Sequence, residues 1–108
     1  LRLTGGELSI RLESTVASVA MSRVFVTAAL SMAGVDPDRI DDTRLMVSDL
    51  ATALVGEGDA VELRATFGDG GGVVVDGNLP GMVPEAGSLL LGDALDMSDG
   101  RWTLTLPA

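Results

Sequence analysis

The chain of 108 residues contains no cysteine and no histidine. Without cysteine, disulfides and thiolate-held metals are excluded. Without histidine there are no imidazole ligands, no imidazole general bases and no phosphohistidine chemistry. With both absent the usual nucleophile triads cannot form, and no serine sits in a nucleophile context. Positive charge is also scarce, with 7 basic residues against 16 acidic ones and a net charge of −9. Phosphate backbones need Lys and Arg to neutralise them, so the balance argues against direct nucleic-acid binding. A basic protein partner suits this field better, and the charge also serves solubility. Apolar runs are too short to span a membrane, and no basic-then-apolar secretory signal opens the sequence. A cytoplasmic protein is expected.

Hydrophobic residues make up 46% of the chain, too many for a disordered segment. The length suits one domain, 1–108, that buries its core without staples. Leu8, Ile10 and Leu12 alternate within Glu7 to Leu12 and predict a strand. Ser14 or Thr15 then offers an N-cap for a helix carrying Met21, Val24, Phe25, Ala28 and Met32 at helical spacing, with Gly34 as C-cap. Asp36-Pro37 starts a second helix, with Asp38, Asp41 and Asp42 near its positive end. Its stripe of Ile40, Val47, Ala51 and Leu54 should face a sheet, and Gly56-Glu57-Gly58-Asp59 ends it.

Val61, Leu63, Ala65 and Phe67 alternate with polar residues as a strand, Asp69 to Gly72 makes a turn, and Val73 to Val75 returns. An irregular stretch from Leu79 to Pro84, a short helix around Ala86 to Leu95, a turn at Ser98-Asp99-Gly100 and a strand from Trp102 to Leu106 complete the pass. The order β-α-α-β-β-α-β predicts an α+β two-layer sandwich, its mostly antiparallel sheet carrying helices on one face.

Thr43-Arg44-Leu45-Met46-Val47-Ser48-Asp49-Leu50-Ala51-Thr52-Ala53-Leu54-Val55 carries a resemblance. It is similar to the nucleotide-binding helix of the anti-sigma factor serine kinases, the RsbW-like branch of the GHKL (histidine-kinase-like ATPase) superfamily, where the phrase reads close to RLAVSELATNAV. Three further places fit: Arg23-Val24-Phe25-Val26, Val73-Val74-Val75-Asp76-Gly77-Asn78, and Ala86 to Leu95, which resembles a family stretch near GRGLLLVRAL. The resemblance implies the Bergerat, histidine-kinase-like fold. It places Asp49 at the family's catalytic acid, normally Glu, and Asp76 with Gly77 at the adenine contact. Gly87 and Ser88 fall in the phosphate-binding lid, and Arg23 at a partner-binding position on the first helix.

The departures fall on the chemistry. Ala53 stands where the family has the Asn that gives Mg²⁺ an oxygen, and a methyl group cannot ligate. Asp49 shares a helix face with Ala53 but is one methylene shorter than Glu, roughly 1.5 Å of reach. A misplacement of about 1 Å can cost on the order of a hundredfold in rate. The family's Gly-x-Gly lid reads Ala86-Gly87-Ser88, and the segment from Leu79 to Gly87 has no Lys or Arg for a triphosphate. Asp69 to Gly72 lacks the Lys-Ser/Thr of a P-loop, and the acids from Asp36 to Asp42 lack the spacing of a Ca²⁺ loop.

The expected function is therefore a regulatory module of the anti-sigma-factor type. It would bind a sigma factor or a STAS-type antagonist, or pair as a homodimer, and act by occupancy with neither nucleotide nor metal. The alternative is an ATP- and Mg²⁺-dependent serine kinase acting on a STAS-type antagonist, with Asp49 as its base.

Overall fold

A computed structural model describes residues 2–4, 6–85 and 90–108. The strands are β1 (Arg2–Thr4), β2 (Glu7–Leu12), β3 (Val61–Phe67), β4 (Val73–Asn78), β5 (Leu95–Ser98) and β6 (Arg101–Leu106). The helices are α1 (Val16–Met32) and α2 (Pro37–Gly56), with a 3-10 turn at Gly92–Ala94. Among the described residues, these six strands form one antiparallel sheet in the order β1-β2-β3-β4-β6-β5. Both helices pack against each other and cover one face of it.

Local signals set the helix ends. Thr15 is the N-cap residue of α1, although its side chain makes no cap bond, and Ala33 with Gly34 closes the helix. Asp36 caps α2 by accepting a hydrogen bond from the Asp38 amide at 2.8 Å, and Pro37 follows in the first turn. The helices also bury small polar residues. Ser18, Ser22 and Thr43 are buried, and each hydroxyl donates to a backbone carbonyl, of Glu13, Ser18 and Arg39 respectively. Their burial therefore leaves no orphaned polar group. Phe25, Val26, Ala29 and Leu30 of α1 meet Met46, Val47, Leu50, Ala51 and Leu54 of α2 in one core with the sheet's inner face.

Two departures from the sequence reading stand out. The added β1 pairs with β2 through the turn at Gly6. Of the short helix expected around Ala86 to Leu95, the described part holds a 3-10 turn at Gly92–Ala94, and the chain is extended from Leu95 onward. Leu95 and Met97 point inward while Asp96 and Ser98 are exposed, a period of two, so this segment is β5. Asp99 and Gly100 both take positive φ, 53° and 74°, and join β5 to β6 in a two-residue hairpin.

Candidate functional site

The phrase that carries the resemblance lies on α2. Asp49 and Ala53 are half-buried along it, between the core positions Met46, Val47, Leu50, Ala51 and Leu54. Between α2 and the sheet, Val47, Leu50, Ala51, Leu54, Leu63 and Trp102 enclose a gap too small for a water molecule. Trp102 closes it: the indole is 1% exposed and lies over the backbone of Gly77 on the neighbouring strand. A Cβ added to Gly77 would stand 2.8 Å from Trp102 Nε1 and 2.6 Å from the Glu62 carbonyl oxygen. No real Cβ tolerates such contacts, so the residue type at 77 is what lets the indole lie flat.

Asp76 and Gly77 are adjacent and face opposite ways, as the pleat requires. Gly77 turns to the helices; Asp76 turns to the open face. There Asp76 Oδ2 accepts from Arg64 Nε at 3.0 Å and Oδ1 from Arg101 Nη2 at 2.8 Å. The carboxylate is 8% exposed, whereas the two guanidinium groups are about half exposed. The hydrogen bond that Arg64 donates to Asp76, then the carboxylate's charge, raises the Arg64 pKa. Asp49 and Asp76, which the sequence reading placed around one nucleotide, thus lie on opposite sides of the sheet.

Beyond β4, Glu57 at the end of α2 accepts from the amides of Gly81 at 2.8 Å and Met82 at 3.2 Å. These bonds, Gly81 first, hold the Glu57 pKa below its ordinary value. They fasten the start of the loop expected to act as a lid against α2. Gly87 and Ser88, the expected lid contacts, lie outside the described residues. So does Ala86.

On α1, Arg23 Nη1 reaches across to Ser48 Oγ on α2 at 3.3 Å. It borders a groove of about 490 Å³ lined mainly by Ala20, Val24, Thr27, Ala28 and Arg44. Met21, Val24 and Met32 stand exposed along the same helix at 50, 68 and 66%. These three side chains lie along one side of α1.

Sequence reasoning named Asp76 but missed Arg64 and Arg101, which hold its carboxylate on the open face. The available signal was alternation, which puts Arg64, Asp76 and Thr103 on one row and Leu63, Gly77 and Trp102 on the next. Among the described residues, no acidic cluster is placed to hold a metal ion, and no helix is long and apolar enough to cross a membrane.

The two-layer α+β sandwich, with its antiparallel sheet and helices on one face, has the histidine-kinase-like (Bergerat) fold. It is similar to the crystal structure of the RsbU and RsbW domains of Rv1364c from Mycobacterium tuberculosis, with 22% identity and a TM-score of 0.68. The match covers 97% of this chain and 32% of that one, so the chain spans about a third of that structure's length. No protein-family model matches the chain, and no curated protein does.

Proposed function

We propose that this domain is a regulator of the anti-sigma-factor type that works by binding a protein and not by phosphoryl transfer. The observation that carries this reading is the outer face of α1, where Met21, Val24 and Met32 are exposed and Arg23 borders the groove. An apolar strip with an arginine at its edge has the composition of a protein interface. The partner class, a sigma factor or a STAS-type antagonist, comes from the sequence resemblance and is supported by the fold. Occupancy without turnover is supported by Ala53, which offers no metal ligand, and by Trp102, which fills the space beside α2. Both features argue against an Mg²⁺-nucleotide in this space.

Two measurements test the proposal. Titration of a non-hydrolysable ATP analogue, with and without Mg²⁺, should give no heat and no thermal stabilisation at millimolar analogue. Micromolar Mg²⁺-dependent binding, followed by phosphotransfer to a STAS-type protein, would establish the kinase reading instead. A purified sigma factor or STAS-type antagonist should bind the wild-type domain. Val24→Asp and Arg23→Glu, both at exposed positions, should weaken that complex at least tenfold without lowering the Tm. Sedimentation at rising concentration shows whether a second copy competes for this face, and a monomer throughout would remove the homodimer.

A further inference from the structure

The open face of the sheet holds a feature that the α1 interface does not use. The chain's seven basic residues are all arginine; among those whose side chains are described, Arg11, Arg64 and Arg101 stand on this face. Arg11 pairs with Glu13 at 3.4 Å and Glu62 at 3.8 Å. Arg64 and Arg101 instead share one carboxylate, Asp76, from the strands on either side of it. Two positive charges on one negative charge leave the trio at +1, on a chain whose net charge is −9.

The trio is rigid at its base and open at its top. Asp76 is buried, so it fixes both guanidinium groups, and each gives it a single hydrogen bond. A guanidinium has five N–H donors in a planar fork that matches a carboxylate. Above the trio lies a concavity of about 520 Å³ that Thr66, Val74, Ser98, Asp99 and Thr103 complete. That volume is in the range of small-ligand sites.

We propose that Arg64 and Arg101, held by Asp76, bind the carboxylate of a small organic acid on the open face of the sheet. A single negative charge neutralises the trio. A phosphate dianion would overshoot it beside Asp99, which lines the same concavity, and Glu62, which lines the adjoining one. The threonine and serine hydroxyls supply further donors and acceptors, and Val74 an apolar contact, for the rest of such a molecule.

The test is an NMR titration of the arginine Nε–Hε signals with sodium acetate at pH 7, with sodium chloride varied to hold ionic strength constant. Arg64 and Arg101 should move together and saturate with one midpoint, while Arg23 and Arg39 stay still. Inorganic phosphate in the same experiment should need at least a severalfold higher concentration. Arg101→Gln should abolish saturation at Arg64, and Arg64→Lys should weaken it although the charge is kept. The site is refuted if acetate produces only the drift that chloride produces. It is refuted equally if all arginines respond alike, or if phosphate saturates before acetate. The wild-type titration decides by itself should either variant fail to fold.

Discussion

The two faces of the sheet are built from the same strands, one residue apart, and share almost no chemistry. On the helix side, Ile10, Leu63, Gly77, Trp102 and Met97 form a row across five strands. On the open side, the neighbouring row is Ser9, Arg64, Asp76, Thr103 and Asp96. The first row is dry, and its interlocking depends on the missing side chain of Gly77. The second is wet, and its order comes from charge. The difference teaches that a motif's meaning on a strand hangs on register: a shift of one residue moves a side chain from one face to the other.

The largest effect should come from emptying the dry row. Trp102→Ala removes the indole between Gly77 and α2 and should destabilise the domain by about 3–5 kcal/mol. Urea denaturation followed by far-UV circular dichroism measures this, since the lone tryptophan is then gone. A loss below about 1 kcal/mol would mean that the indole is not a core element.

Gly77→Ala comes next. A methyl group 2.8 Å from the indole nitrogen and 2.6 Å from the Glu62 carbonyl oxygen forces Trp102 and the strand apart. Overpacking of this kind costs about 1–3 kcal/mol. Much of that cost should vanish in the Trp102→Ala background, because the two residues contest one volume. Strict additivity in the double-mutant cycle would instead put the strain wholly on the β3 backbone.

Much of this architecture is readable along the chain because it is local. Asp36-Pro37, Gly34 and the Val61 to Phe67 alternation each announce an element within a few residues, and each stands where expected. The face of Asp76 is not local. It depends on strands β3 and β6, whose Arg64 and Arg101 lie 12 and 25 residues away. The resemblance points to Asp76, whereas Gly77 is the residue that faces the helices. β5 was hidden differently. The apolar run before it reads as a short helix to Leu95, whereas the alternation of Leu95 to Ser98 and the Asp99-Gly100 hairpin make a strand.

On the wet row, Asp76→Asn should cost less than either change on the dry one, about 1–2 kcal/mol. Its two partners are half exposed, so water takes over part of what the carboxylate gives. The midpoint of urea unfolding, at unchanged slope, reports it. A cost matching that of Trp102→Ala would erase the energetic distinction between the faces.

The smallest effect concerns the loop that closes the dry side. Glu57 takes hydrogen bonds from Gly81 and Met82, and these depress its pKa from 4.5. A carboxyl held below its ordinary value favours the folded state only while ionised. The contribution is therefore complete above 4.5 and disappears as pH falls through the lowered folded value. The amide proton signals of Gly81 and Met82 should follow that titration, shifting upfield together as acid breaks both bonds. Glu57→Gln should leave them near their acid positions at neutral pH, because a neutral amide oxygen is the weaker acceptor. The unfolding midpoint should hardly move, since the bonded groups are exposed. If the two amides titrate but Trp102 fluorescence does not, the clasp fastens the loop alone, and the indole is held by Gly77 and α2. If the fluorescence follows the same curve, the loop and the core beside α2 open as one unit, and the dry face depends on a surface carboxylate for its closure.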